Sequence, residues 1–412
     1  MADRETTLHS DGNMPSLTFA YRTTFLLGTG YFAISVASAL YNSFVPLFLK
    51  HYILSSGIIG LIVSFRTLSG IVLNLYFSAR SDRTRTRFGR RLPYILIGMP
   101  IAAVLFVMLP WQFGAAFLII VDILYAFASN IFYAPTISLM PDITPMNARS
   151  KANGIINLMG GVGALIMYFS GAALFTINRN LPFALVGLLF LIVPLILYRS
   201  IREPERVPTA ASIAMKHLWN AAKEVFLNPD RTGRYLMAAV FLWSIAESAV
   251  QTFFVTYTVY YLHLPTSAGT ISIGLFSLAF MAFAFPAGMI ATRFGRKRSI
   301  AIGLAVFAAV LLLFVGIHNL TAMRALILIG GIAWALINVN GYPWMTNLAG
   351  NNIGAYTGLY MLASGIAGVI GQPFVGFLMD RFGYPALFAA TGMACAIAFG
   401  LILFTRSETS QR

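Results

Sequence analysis

Apolar residues run along this chain in twelve blocks, separated by short polar or charged segments. The blocks fall near residues 23–46, 56–79, 93–110, 113–139, 152–176, 181–199, 234–261, 268–291, 299–317, 322–346, 354–379 and 385–404. Several exceed 18 residues without interruption, and about 20 residues at 1.5 Å rise cross a hydrocarbon core of roughly 30 Å. The blocks are therefore predicted to be membrane-spanning helices. The first sixteen residues, MADRETTLHSDGNMPS, carry Asp3, Glu5 and Asp11 and lack the basic start and apolar core of a secretory signal. The first helix is expected to be retained.

Composition agrees with the pattern: 58% of the 412 residues are hydrophobic and 10% charged, against about 25% charged in soluble domains. A net charge of +15 raises nucleic acid as a partner, but the basic residues alternate with the spans and form no single soluble face. Of the 28 Lys and Arg, 23 fall on one side of a twelve-span topology, together with both termini. Lys50, Arg179, Arg324 and Arg381 fall on the other, and Arg66 lies inside a span. The positive-inside rule predicts that the basic side is cytoplasmic, as for a multi-pass protein of a cell's inner membrane. Cys395 is the single cysteine, so no disulfide forms within the chain. There is no Walker loop, no HExxH and no cysteine cluster. An enzyme, an ATP-driven pump, a bound metal and a cofactor are not expected, which leaves gradients as the energy source.

The basic loop RFGRR at 87–91 recurs as RFGRK at 293–297, each time between the second and third block of its half. A shift of about 205 also carries Met140, Gly160 and Gly163 onto Met345, Gly365 and Gly368. The expected architecture is all-α, with twelve transmembrane helices in two pseudo-symmetric six-helix bundles, residues 1–199 and 234–412. Such repeats place a solute site at their interface near the membrane midplane. Residues 200–233 are expected to be a linker. Ile213, Leu218, Ala222 and Phe226 recur there at helical spacing, which suits an amphipathic helix on the membrane surface or a plain linker.

The segment SARSDRTRTRFGRRLPYILIG, Ser78 to Gly98, resembles the signature loop of the major facilitator superfamily. Its longer form is similar to that of the glycoside, pentoside and hexuronide cation symporters and of the sucrose-transporter-like proteins. YAPTISLMPDITPMNARSKANG, residues 133–154, resembles the loop after the fourth span in the same branches. The resemblance implies that Asp82, Arg83, Arg87, Gly89, Arg90 and Arg91 form a gating latch between the two halves. Arg293, Gly295, Arg296 and Lys297 repeat it, with Thr292 in place of the usual acid. It also implies where coupling acids should stand, and there the pattern breaks. The paired second-span carboxylates of sodium-coupled galactoside symporters fall on Gly70 and Asn74, the fourth-span acid near Phe127, and the sugar-binding positions near Ser35 and Asn157. The acid of sucrose transporters falls near Ala126. Sodium coupling is therefore not expected.

Three ionisable residues, Arg66, Asp122 and Glu247, lie deep in predicted spans, where charge is costly and marks a partner or a pathway. Arg66 and Asp122 sit at matching depth, roughly 15 Å below the non-basic surface at 1.5 Å per residue. Family relatives hold a cation between these two spans, so an ion pair is expected, either as an internal replacement for that cation or as a static structural pair. Glu247, with Trp243 and Gln251 one turn either side, is the candidate proton carrier or substrate carboxylate. Tyr41, Asn42, Trp334, Asn338 and Asn340 add rings and amides suited to a neutral polyhydroxylated solute. Three readings stay open: a proton-coupled or uncoupled transporter of a sugar or glycoside, an exporter of apolar or cationic compounds, and a non-transporting sensor of the same fold. The expected partners are a small solute, protons as a candidate co-substrate, and the bilayer around a working monomer.

Overall fold

The computed structural model describes residues 20–111, 113–203, 215–227, 230–349 and 352–406. The first half comprises α1 (Tyr21–Tyr52), α2 (Ser56–Arg83), α3 (Leu92–Met108), α4 (Ala115–Ile143), α5 (Arg149–Ile177) and α6 (Leu181–Ser200). A short helix, α7 (Met215–Leu227), precedes α8 (Thr232–Tyr260), α9 (Thr266–Phe294), α10 (Arg296–Phe314), α11 (Leu320–Asn347), α12 (Ile353–Phe382) and α13 (Ala386–Leu403). Among the described residues eleven helices are long and apolar enough to cross a membrane, and α3 is a shorter apolar helix. The eight longest run 28 to 32 residues, about 42 to 48 Å at 1.5 Å per residue. That exceeds the hydrocarbon thickness, so they tilt or protrude. Several outrun the predicted blocks because helical hydrogen bonding does not stop where apolar residues do. Helix α2, for example, continues through the polar SARSDR to Arg83.

The two halves repeat the same packing. In the first, α1 packs on α5 and α6, α3 on α4 and α6, and α2 on α4. In the second, α8 packs on α12 and α13, α10 on α11 and α13, and α9 on α11. The halves meet where α2 packs on α12, α5 on α9 and α1 on α8. The first two contacts exchange under the pseudo-twofold relation and the third maps onto itself.

The α2–α12 seam is tightest at the side away from the basic loops. There Gly57, Gly60 and Gly376 let the backbones touch: a Cβ on Gly60 would lie 2.6 Å from the Gln372 oxygen and 2.7 Å from the Pro373 Cα. Asp380, near the end of α12, closes the seam by accepting from Ser55 Oγ (2.5 Å), Ser56 N (2.6 Å) and Gly57 N (3.0 Å) at the start of α2. A carboxylate satisfies the free N–H groups of a helix start and complements its dipole. Lys50 donates to Ser56 Oγ at 3.0 Å beside it.

Helix α7 has two sides. Ala221 and Val225 are the buried pair, where α7 meets α8 and α12, and Glu224 hydrogen-bonds Tyr356 of α12. Phe226 is exposed, with Trp219 and Leu227. Ile213 and the side chain of Leu218 lie outside the described residues. The helix therefore docks on the second half by a small-residue stripe and turns its large apolar residues outward.

Gly60→Leu is expected to destabilise the protein by about 1 to 3 kcal/mol, because α12 backbone fills the space its side chain needs. Cys395, the single cysteine, is buried, so labelling by a thiol-reactive dye on heating reads unfolding directly. An unshifted labelling midpoint would contradict the backbone contact.

Candidate functional site

Helices α1, α2 and α4 pack together in the first half and bring Tyr41, Arg66 and Asp122 into one cluster. The wholly buried Tyr41 donates its hydroxyl to Asp122 Oδ1 at 2.7 Å. Its ring stacks on Tyr125 at 5.8 Å between centroids, and the Arg66 guanidinium lies 4.6 Å from the Tyr41 centroid. Arg66 and Asp122 make no ion pair within 4.0 Å. The expected salt bridge is thus replaced by a tyrosine serving both charges, its hydroxyl bonding the carboxylate and its π face meeting the cation. The bulk of a buried ring beside both groups is the physical reason they do not touch.

Asn42 follows Tyr41 by one residue, about 100° around the helix, and leaves this cluster for the space between the halves. Arg66 Nη2 donates to Asn42 Oδ1 at 3.4 Å. Asn42 Nδ2 donates to Gln251 Oε1 at 3.4 Å. Gln251 Nε2 donates to Glu247 Oε1 at 2.5 Å, a pair one helical turn apart on α8. A thread of side chains thus runs from the cation of one half to the carboxylate of the other. All four of its members are partly exposed. Tyr168 of α5 and Tyr360 of α12 lie within electrostatic reach of Glu247.

Behind Glu247 and Gln251 opens a cavity of about 60 Å³. Phe254, Phe276, Phe307, Phe314 and Phe388 line it, and Glu247 is its one charged wall residue. Ser272, also in the wall, donates its hydroxyl to the Ala268 carbonyl. Phe314 and Phe388 stack at 4.9 Å. The cavity offers aromatic surface and one acid.

Other expected site residues are engaged elsewhere. Trp243 is buried against Gly341, where a Cβ would meet its ring at 3.0 Å, and bonds Tyr360. Trp334 is buried beside Phe307 at 5.5 Å. Asn340 donates to the backbone oxygens of Leu336 (2.9 Å) and Ala287 (3.3 Å), joining α11 to α9, while Asn338 is exposed. Buried rings and amides find partners wherever packing offers them, which helical spacing alone does not reveal. Gly70 and Asn74 do face α4: a Cβ on Gly70 would lie 3.3 Å from Asn130 Oδ1 and 3.3 Å from Asn74 Nδ2. This spot is polar and uncharged. Sequence reasoning missed Tyr125, Tyr168, Tyr360 and the phenylalanine cavity. Tyr125, one turn from Asp122, carried a readable signal, whereas the others come from separate helices.

The basic loops behave differently from the latch implied by resemblance. Arg90 Nη2 pairs with Asp142 Oδ2 at 2.7 Å and Arg91 Nε with the same oxygen at 3.0 Å, while Arg91 Nη2 contacts Asp82. The backbone N–H groups of Arg90, Arg91 and Leu92 donate to the Glu203 carboxylate at 2.8 to 3.0 Å. Gly89, at φ 103°, turns the chain where a Cβ would strike that carboxylate at 2.7 Å. Arg83 and Arg87 are exposed, with Arg87 over the Phe88 ring at 4.6 Å. Among the described residues these pairs join the loop to Asp82 and Asp142 of the first half and to Glu203, just past the end of α6. In the second copy Gly295 keeps a positive φ of 89° and Arg293 is exposed. Arg296 and Lys297 reach the backbone oxygens of Pro343 (3.4 Å) and Leu403 (2.9 Å). The shift that carries Met140 onto Met345 carries Asp142 onto Asn347, so helix-end carbonyls replace the acid there.

The chain belongs to the major facilitator superfamily, whose model matches residues 27–274 and 265–412. It is therefore a multi-pass membrane transporter of a small solute, and not an enzyme. The tetracycline resistance protein of class H from Pasteurella multocida is 22% identical over 327 residues, spanning 76% of this chain and 80% of that protein. The quinolone resistance protein NorA from Staphylococcus aureus is 21% identical over 377 residues, 90% of this chain and 94% of its own. Among solved structures, the nucleoside transporter NupG superposes with a TM-score of 0.72 at 13% identity, covering 92% of this chain and 97% of its own. A bacterial homologue of the human lysosomal transporter Spinster, inward-facing and occupied, superposes with a TM-score of 0.72 at 16% identity, covering 94% and 97%. At these identities the structures share the fold.

Tyr41→Phe removes the hydroxyl bonded to buried Asp122 and is expected to cost about 1 to 3 kcal/mol of stability. The Cys395 labelling midpoint measures it. A variant as stable as the wild type would show that Asp122 does not depend on the phenol.

Proposed function

We propose that this transporter moves a solute with an aromatic or apolar body and a positively charged amine, outward across the membrane, by alternating access. The observation that carries this reading is the single carboxylate, Glu247, at the wall of a cavity lined by five phenylalanines. Rings take the apolar body, and the acid attracts the cation and excludes anions. A polyhydroxylated sugar needs many convergent donors and acceptors, and this wall has few. The relatives named above are resistance proteins for tetracycline and for quinolones, which supports outward transport. In this reading Glu247 takes up a proton when the cation leaves, so the pH gradient drives export. Residues 1–199 and 234–412 rock as two bodies joined by 200–233, with both termini cytoplasmic, as the concentration of Lys and Arg on that side supports.

A sugar or glycoside is the second reading, favoured by the Ser78–Gly98 loop and by the amides of Asn42 and Gln251 beside the cavity.

Everted membrane vesicles given ethidium and an imposed pH gradient test the first reading. Wild-type vesicles are expected to accumulate the dye, and Glu247→Gln to lose at least about 90% of the initial rate, as befits removal of a group required for coupling. Full accumulation by the variant, or accumulation of labelled sugars and no dye by the wild type, would overturn it.

A further inference from the structure

The space between the halves holds a cation and a carboxylate that do not meet. The Arg66 guanidinium has five N–H donors and makes one hydrogen bond, to Asn42 at 3.4 Å, with its Nε buried and unpartnered. Asp122 does not neutralise it by contact, because the Tyr41 hydroxyl holds that carboxylate. Across the cleft, the polar group on Glu247 is the Gln251 amide nitrogen.

The two intervening amides point the same way. Each turns its oxygen toward Arg66 and its nitrogen toward Glu247. An amide oxygen on a guanidinium is a neutral substitute for a carboxylate, and an amide NH₂ on a carboxylate is a neutral substitute for an ammonium. Each carries one charge where an ion pair carries two, and a carboxylate on a guanidinium can add a second, parallel N–H···O bond. We propose that Asn42 and Gln251 hold the place of an aromatic zwitterion, whose carboxylate displaces Asn42 from Arg66 and whose amine displaces Gln251 from Glu247. The inference rests on the reading of Glu247 as the cation site and adds the chemistry of the solute's other end.

The thread also sets a size. With about 2.3 Å between the oxygen and nitrogen of an amide and 3.4 Å between the two side chains, the ends of the pair are at most about 8 Å apart. The solute's charged groups are separated by no more than that, for example across one benzene ring, and its apolar remainder enters the phenylalanine cavity. Arg66 comes from α2 and Glu247 from α8, so such a solute bridges both halves, whereas a simple cation touches the second half alone.

Equilibrium binding to the purified full-length protein in lipid nanodiscs tests this with three probes: 4-(aminomethyl)benzoate, its methyl ester and its N-acetyl derivative. The first carries both charges, the second only the cation and the third only the anion. The zwitterion is expected to bind at least about tenfold more tightly than either relative, the equivalent of one added charge-assisted bond. In Arg66→Gln the ratio of zwitterion to ester affinity is expected to fall about tenfold. That ratio does not depend on how much of the variant is folded. Asn42→Ala, which keeps both charges and removes one placeholder, is expected to gain zwitterion affinity. A wild type that binds the ester as tightly as the zwitterion, a ratio unmoved in Arg66→Gln, or no gain in Asn42→Ala would overturn the inference. If ester binding needs Glu247 while the ratio ignores Arg66, the zwitterion fails and the cation site stands. If Glu247→Gln binds the ester like the wild type, the cation site itself fails.

Discussion

A charge withdrawn from water must find another charge, a dipole or a ligand, and in lipid it has few places to look. Only 13 acidic residues face 28 basic ones in this chain, so the position of each acid decides what the surrounding helices can do. Asp142 and Glu203 gather the basic loop onto the first half, and Asp380 fastens α12 to the start of α2. Asp122 is held by a tyrosine. Glu247 stands among aromatic residues, with the Gln251 amide in contact.

The helices were legible because the bilayer imposes a simple rule: apolar runs of sufficient length, punctuated by charge. The repeat of RFGRR and RFGRK revealed two related halves for the same reason, since a positive-φ glycine at Gly89 and Gly295 fixes the local sequence in both. Depth was legible too, and it singled out Arg66, Asp122 and Glu247. What depth cannot give is direction around the helix axis. Arg66 and Asp122 sit at matching heights, yet the ring of Tyr41 stands beside both. Asn340 resembles Asn42 in type and setting, yet its amide binds main chain. The phenylalanine cavity draws residues from five helices, and no spacing along one helix could have announced it.

The basic loops illustrate a second limit. A resemblance transfers the residues of a motif, while the partners they choose depend on the conformation and on local acids. Here the arginines of the first loop serve their own half, and the fastening between halves lies at the opposite ends of the helices. The second loop keeps the turn and loses the acid, so its cations settle on helix-end carbonyls. The two halves share a backbone plan and differ in the acids beside their loops.

The location of Asp380 has a kinetic meaning. One of its three bonds is exposed and the other two are half-buried, so water can replace them as they break. Separating α2 from α12 there exchanges hydrogen bonds with solvent, whereas parting Tyr41 from Asp122 would strand a charge in a dry interior. Parting the seam would therefore cost less than parting the tyrosine cluster. The fastening between the halves is thus the soft one, and the tyrosine cluster inside the first half the hard one.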